Sequence, residues 1–127
     1  MADGKLSAGA QGDLEVITQA RRKLERLHNL TEQFAVAKAG SSQDSVASLI
    51  SRASLELGRS LLQVGLGVLA DQANQMGMLA RRGGGPSTKL RGMRDYVAQM
   101  RPGLDRAERL IITKGAESGA KDGESGP

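Results

Sequence analysis

The sequence has 127 residues, enough for one domain, and its 18 Lys and Arg outnumber its 14 Asp and Glu to give a net charge of +4. Cysteine is absent and histidine occurs once, which excludes disulfides, thiolate chemistry and metal sites built from Cys or several His. One Phe, one Tyr and no Trp leave an aliphatic core and no aromatic platforms on which bases could stack. The composition predicts a small, soluble, basic protein that is not an enzyme and holds neither metal nor cofactor.

The two ends of the sequence are predicted to be tails. Residues 1–12 and 115–127 are rich in Gly, Ala, Ser and charged residues and have no periodic apolar face, which is typical of flexible or disordered chain. No stretch resembles a signal peptide or a membrane span, so we expect a cytoplasmic protein without membrane contact. Residues 13–114 are the predicted folded domain.

The first predicted helix begins at Asp13, a good N-cap residue, and ends near Lys38, before Gly40. Apolar residues at helical spacing form one stripe along it, with Leu30 at its edge: Ile17, Ala20, Leu24, Leu27 and Phe34. This spacing turns one face of the helix toward a core.

The second predicted helix runs from about Ser45 to Arg81 and carries two neighbouring apolar stripes. The first contains Val46, Ile50, Ala53, Leu57, Leu61, Val64 and Val68, and the second contains Leu62, Leu66, Leu69, Ala73 and Met76. Because such a helix is apolar nearly all round, we expect it at the centre of the fold. It also contains glycines that indicate either a kink or close helix packing: Gly58, Gly65, Gly67 and Gly77.

The clearest break in the sequence is the segment 81–86, which contains three successive glycines and a proline. A third predicted helix follows, capped by Ser87, with a regular apolar stripe: Leu90, Met93, Val97, Met100, Leu104, Ala107 and Ile111. Pro102 interrupts this stripe without changing its phase, which is typical of a kinked helix or of two short helices in line. The three segments predict an all-α fold, a bundle of three to five helices with flexible termini.

The positive charge is concentrated in residues 81–114, where nine Lys or Arg accompany three acidic residues. Five arginines share the helical face opposite the apolar stripe: Arg91, Arg94, Arg101, Arg106 and Arg109. Arg81, Arg82 and Lys89 stand just before this face or at its start. Because guanidinium groups bind phosphates well, these eight residues are the candidate nucleic-acid-binding site, with a merely solvated face as the alternative.

A secondary basic cluster lies on the first predicted helix and contains Arg21, Arg22, Lys23 and Arg26. Since Glu15 and Glu25 share that helix, an ion-paired surface is the favoured interpretation.

No catalytic residue is predicted. Arg22 and His28 have the spacing of the Arg-x(4–6)-His element of helical HEPN ribonucleases, but Lys23 stands where that family has Asn, Asp or His.

The residues on either side of the break resemble a known family. Residues 73–80 have the helix-end pattern Ala-x-x-Met-Gly-x-Leu-Ala, and residues 88–97 have the helix-start pattern Thr-Lys-Leu-Arg-x-Met-x-x-x-Val. Over about 25 residues this is similar to the small helical subunit of type III CRISPR effector complexes, which has relatives in type I and type IV complexes. Lys89 and Met93 stand where those subunits have Gln and an aromatic residue.

This resemblance implies a non-catalytic small subunit of an antiviral ribonucleoprotein. Such a subunit packs against copies of itself and other subunits, and it holds guide or target RNA or single-stranded DNA through the phosphates. Residues 62–75 are also similar to the C-terminal helix of flagellins. The alternative is therefore a structural or adaptor protein, such as a filament subunit or a helical chaperone, that acts through protein contacts alone.

Overall fold

The part of the chain that the structure describes folds into four α-helices. The computed structural model describes the backbone of residues 6–124 and the side chains of residues 6–116. The helices are α1 (Ala8–Val36), α2 (Ser41–Gln63), α3 (Gly67–Arg81) and α4 (Pro86–Glu124). This architecture confirms the predicted all-α bundle. In this described part of the chain, no helix is long and apolar enough to cross a membrane.

Each helix packs antiparallel against the next one in the sequence, and α4 packs back against α1. Among the described residues, no Cα atoms of the diagonal pairs, α1 with α3 and α2 with α4, lie within 8 Å of each other. The fold is therefore an up-down-up-down four-helix bundle. This topology places the connections 37–40 and 82–85 at one end of the bundle and the connection 64–66 at the other.

One aliphatic core lies between the helices. Its most completely buried large side chains are Ile17, Leu24, Leu27, Ile50, Leu57, Leu61, Met76, Met93, Met100 and Leu104. Burial of each such side chain contributes about 1.5–3 kcal/mol, which offsets the entropy lost on ordering the helices. The stripes predicted for the first and third helices are the buried faces of α1 and α4.

The prediction of one helix from Ser45 to Arg81 is wrong, because the chain reverses at residues 64–66. Gly65 has a φ of +73°, its N–H donates to the carbonyl of Leu62, and the N–H of Leu66 donates to the carbonyl of Leu61. This pair of hydrogen bonds is a Schellman motif, which ends α2. The two predicted stripes consequently belong to two helices, and the flagellin-like segment 62–75 is divided between them.

Gly58 and Gly77 are sites of close packing between α2 and α3. A Cβ atom at residue 77 would lie 3.1 Å from the Cβ atom of Ser54, and one at residue 58 would lie 2.5 Å from Oδ1 of Asn74. Pro102 lies inside α4, which continues through it as one helix.

The helices extend beyond the predicted domain boundaries, residues 13 and 114. The Ser7 hydroxyl accepts a hydrogen bond from the N–H of Ala10, so α1 begins at Ala8 and Asp13 lies inside it. At the other boundary α4 continues through Gly115, which packs so closely on Ala10 that a Cβ atom at residue 115 would lie 2.6 Å from that of Ala10. Residues 1–5 and 125–127, which also belong to the predicted tails, lie outside the described residues.

Candidate nucleic-acid interface

The eight predicted nucleic-acid-binding residues fall into three groups along the bundle. Arg81, Arg82, Lys89 and Arg91 lie where α3 ends and α4 begins; Arg94 and Arg101 lie beside α1; Arg106 and Arg109 lie farther along α4. All except the half-buried Lys89 are exposed. The predicted basic face is thus not continuous, and the three groups differ in what their side chains contact.

Arg94 and Arg101 are engaged by carboxylates of α1. The Nε and Nη2 atoms of Arg94 donate to the two carboxylate oxygens of Glu32 at 3.0 and 2.7 Å, and Nη2 of Arg101 donates to Glu25 at 2.9 Å. The hydrogen bonds from Arg94 lower the pKa of Glu32 below its usual value and raise the pKa of Arg94. These two arginines therefore bridge neighbouring helices, and their guanidinium groups already contact carboxylates.

Two further ion pairs join the same two helices, here with the arginine on α1 and the carboxylates on α4. Arg21, on α1, donates to Asp105 at 2.6 Å and to Glu108 at 3.3 Å, both on α4. We call this row of contacts the α1–α4 seam: Arg21, Glu25 and Glu32 with Arg94, Arg101, Asp105 and Glu108. Within the predicted secondary cluster, Arg21 is therefore paired with acids of another helix and not with Glu15 or Glu25.

The other members of the secondary cluster have different surroundings. The Nζ atom of Lys23 donates to the hydroxyl of Ser60 on α2 at 2.6 Å. Arg22 and Arg26 are exposed and, among the described side chains, make no ion pair. Arg21 and Lys23 thus contact neighbouring helices, whereas Arg22 and Arg26 face solvent.

The first group forms what we call the basic end: Arg81, Arg82, Lys89 and Arg91. None of these four side chains makes an ion pair with any side chain of residues 6–116. Arg81 and Lys89 line one hollow of about 270 Å³ together with Asp44, and Arg91 lines another hollow with Ser87, Arg94 and Asp95. The basic end therefore carries three exposed arginines and one half-buried lysine, of which Arg81, Lys89 and Arg91 are divided between two hollows.

The backbone at the basic end adds to this positive potential. Lys89 is the first residue of α4 whose N–H is bonded within the turn, to the carbonyl of Gly85 at 3.2 Å, so Gly85 and not Ser87 is the N-cap. The preceding N–H groups of Ser87 and Thr88 remain available at the positive end of the helix dipole. Three exposed glycines precede them, and Gly84 has a φ of +132°, so no Cβ atom blocks an approaching anion there.

Lys38 is a cation at this end that sequence reasoning missed. It lies in the exposed connection 37–40, which the bundle topology places at the same end as residues 82–85. Two antiparallel helices, α2 and α3, separate these connections, so both lie at the same end. The single helix predicted from Ser45 to Arg81 would have placed them at opposite ends of the bundle.

Arg106 and Arg109 are separate from the basic end. About 15 residues of helix, roughly 22 Å at 1.5 Å per residue, separate Arg91 from Arg106. Arg106 lines a hollow beside the α2–α3 turn, at the end of the bundle opposite the basic end. These two arginines form no common surface with Arg81 and Arg82.

The described side chains include no group of three or more His, Asp or Glu that could hold a metal ion. His28 is half-buried and lines a hollow with Glu32, Arg94 and Arg101, so it lies beside the α1–α4 seam.

In comparisons with known proteins, no family model matches the sequence, and neither a curated protein nor a solved structure matches it.

Proposed function

We propose that this chain is a non-catalytic subunit of a CRISPR-type multisubunit ribonucleoprotein. Its basic end holds the phosphate backbone of RNA or single-stranded DNA, and the rest of the bundle packs against other subunits. The observation that carries this proposal is the set of three exposed arginines and the half-buried Lys89, without ion pairs among the described residues, beside a glycine-rich connection and a helix N-terminus.

Phosphate contacts suit the residue types at the basic end. Arginine and lysine together with backbone N–H groups bind phosphate oxygens but do not read base identity. The single tyrosine, Tyr96, is half-buried and donates its hydroxyl proton to Gln75 on α3 at 2.9 Å, so it is not a stacking platform. The proposed binding is therefore independent of sequence.

The CRISPR part of the proposal is supported by the position of the resembling residues. Residues 73–80 form the last turns of α3 and residues 88–97 the first turns of α4, so both patterns adjoin the basic end. The alternative, a structural or adaptor protein, was suggested by one helix that is apolar all round. That helix is two helices, each with one buried stripe, so this argument no longer favours the alternative.

Nucleic-acid binding is tested by fluorescence anisotropy with labelled single-stranded RNA and DNA of about 20 nucleotides, between about 50 and 200 mM salt. Four phosphate contacts predict a slope of log K against log salt near −2.8, at about −0.7 for each contact. The triple variant Arg81→Glu, Arg82→Glu, Lys89→Glu should reduce the affinity at least about tenfold and bring the slope to about −0.7, the contribution of the remaining Arg91.

The matched control reverses three exposed arginines elsewhere, Arg22→Glu, Arg26→Glu and Arg59→Glu. It changes the net charge of the chain by the same amount, so an equal loss of affinity in both triple variants would contradict a site at the basic end. Membership of a ribonucleoprotein is tested separately by recovering the chain from its native cells and sequencing the bound RNA. Absence of repeat-derived guide RNA would contradict the assembly while leaving backbone binding intact.

A further inference from the structure

One hollow at the basic end contains a carboxylate as well as two cations. Asp44, in the first turn of α2, lines it together with Arg81 from the end of α3 and Lys89 from the start of α4. Asp44 is exposed and makes no ion pair with any described side chain, so neither cation neutralises it by direct contact. The hollow therefore offers one hydrogen-bond acceptor and two charged donors to the same ligand.

The rest of the lining leaves room between these charges. Ala47 and Ala80 are the buried lining residues, and both have the smallest side chain that carries a Cβ atom. Ser48, four positions after Asp44 on α2, lies on the same face of the helix and adds an exposed hydroxyl group. A polar ligand that enters the hollow consequently meets charged and hydroxyl groups at its sides and no large apolar side chain.

Asp44 does not suit a site that binds phosphate alone. A carboxylate and a phosphate are both negative, so Asp44 weakens the attraction that Arg81 and Lys89 exert on a nucleic-acid backbone. A carboxylate beside a sugar-phosphate chain can, however, accept a hydrogen bond from a neutral hydroxyl group, as acidic residues do from the ribose of bound dinucleotides. The ribose 2′-hydroxyl is present in every RNA nucleotide and absent from DNA.

We propose that Asp44 is a specificity-determining residue of the basic end, which accepts a hydrogen bond from a ribose 2′-hydroxyl and makes the site prefer RNA to DNA. The role of Asp44 rests on the proposed function, since Arg81 and Lys89 must first hold a phosphate at the hollow. With RNA, the hydroxyl of the adjoining sugar then donates to the carboxylate. With DNA, Asp44 meets no donor and only repels the strand. The contact reads the sugar and leaves the base unread, in agreement with binding that is independent of sequence.

The preference is measured by fluorescence anisotropy with labelled oligouridine RNA and oligodeoxyuridine DNA of equal length. The parent chain should bind the RNA about three- to tenfold more tightly, as one hydrogen bond predicts. Oligouridine with 2′-O-methyl groups is the third probe, because it keeps the 2′-oxygen but has no hydroxyl proton to donate. It should bind no more tightly than the DNA. Equal affinities for RNA and DNA, or 2′-O-methyl RNA that binds as tightly as RNA, would overturn the proposal.

Two variants of Asp44 separate its hydrogen bond from its charge. Asp44→Ala should bind DNA more tightly than the parent chain does and should abolish the difference between RNA and DNA. Asp44→Asn keeps an acceptor oxygen without the charge, so it should bind both strands more tightly and retain part of the preference. The control Asp71→Ala removes the same charge from an exposed position of α3 that does not line the hollow, and it should leave the preference unchanged. A preference that survives in Asp44→Ala, or disappears in Asp71→Ala, contradicts the role of Asp44.

The same titrations distinguish a failure of this role from a failure of the proposed function. Salt-dependent binding of RNA and DNA with equal affinity would overturn the role of Asp44 and leave the basic end as a phosphate site. Absence of binding to either strand would overturn both. Because a carboxylate in the first turn of α2 also interacts favourably with the helix dipole, circular dichroism checks that each variant keeps its helices.

Discussion

Ser54 is fully buried where α2 meets α3, and its hydroxyl has no hydrogen-bond partner in the described residues. A buried hydroxyl without a partner costs about 1–3 kcal/mol, because it has lost its bonds to water. We expect Ser54→Ala to raise the free energy of unfolding by about 1 kcal/mol more than the control Ser48→Ala, which changes an exposed serine of the same helix. Urea denaturation measures both values. Equal effects would indicate that only helix propensity changed.

The carboxylate of Glu32 reports directly on its contact with Arg94. Because the two hydrogen bonds from Arg94 stabilise the ionised carboxylate, the pKa of Glu32 lies below its usual value. We expect Arg94→Gln to raise the pKa of Glu32 toward that usual value. NMR titration of the Glu32 side-chain carbon measures the change. Arg91→Gln is the control, since Arg91 makes no ion pair among the described residues and should leave the pKa of Glu32 unchanged.

The sign of the linked pH effect follows from the direction of this shift. A carboxyl group whose pKa is lowered by folding contributes stability above its unfolded pKa, and this contribution is lost as the pH falls through the folded pKa. Acidification below the usual range of glutamate should therefore weaken the parent chain more than Arg94→Gln.

The reversal between α2 and α3 depends on one backbone conformation. Gly65 has a φ of +73° and open space around its Cβ position, so an alanine there is strained by the backbone alone. We expect Gly65→Ala to lower the free energy of unfolding by about 1–2 kcal/mol. Gly67→Ala, two residues later, has open space and a helical position in α3, so it should raise this free energy by up to about 1 kcal/mol. Thermal denaturation compares the two, and a loss in both would contradict this assignment of the turn.

The sequence predicted the helical faces more reliably than the helix ends. Apolar spacing identified the buried faces of α1 and α4, because Ile17, Leu24, Met93 and Met100 repeat with the helical period whatever their partners are. The turn at Gly65 was missed because Leu61, Val64 and Val68 keep the spacing of one helix across it. A glycine can be a kink, a packing site or a C-terminal cap, and hydrogen bonds decide between these.

At the scale of the whole molecule, the candidate site could be predicted only in part. The concentration of charge around residues 81–91 is visible in the sequence. The engagement of Arg94 and Arg101 is not, since their partners lie 62 and 76 residues away on another helix. The spacing of residues in the sequence gives the face of a helix on which a charged side chain lies. Whether that side chain forms an ion pair depends on which helix packs beside it in the bundle.

The position of the α1–α4 seam has a consequence for folding kinetics. Three of the four helix contacts join neighbours in the chain, whereas this seam joins residues 62–87 positions apart. Contacts of such sequence separation form late, since closing a long loop is entropically unfavourable. The ion pairs of the seam should therefore be absent from the transition state for folding.

Neutralising the acids of α1 tests this order of events. In the double variant Glu25→Gln, Glu32→Gln, stopped-flow measurements should show unfolding about two- to fivefold faster and an unchanged refolding rate. The control Glu56→Gln, Asp71→Asn removes two exposed acids without ion pairs in the described residues and should change neither rate. Slower refolding in the first variant would mean that α1 and α4 meet early. With late closure, these surface ion pairs govern how long the folded state lasts and have no influence on how quickly it is reached.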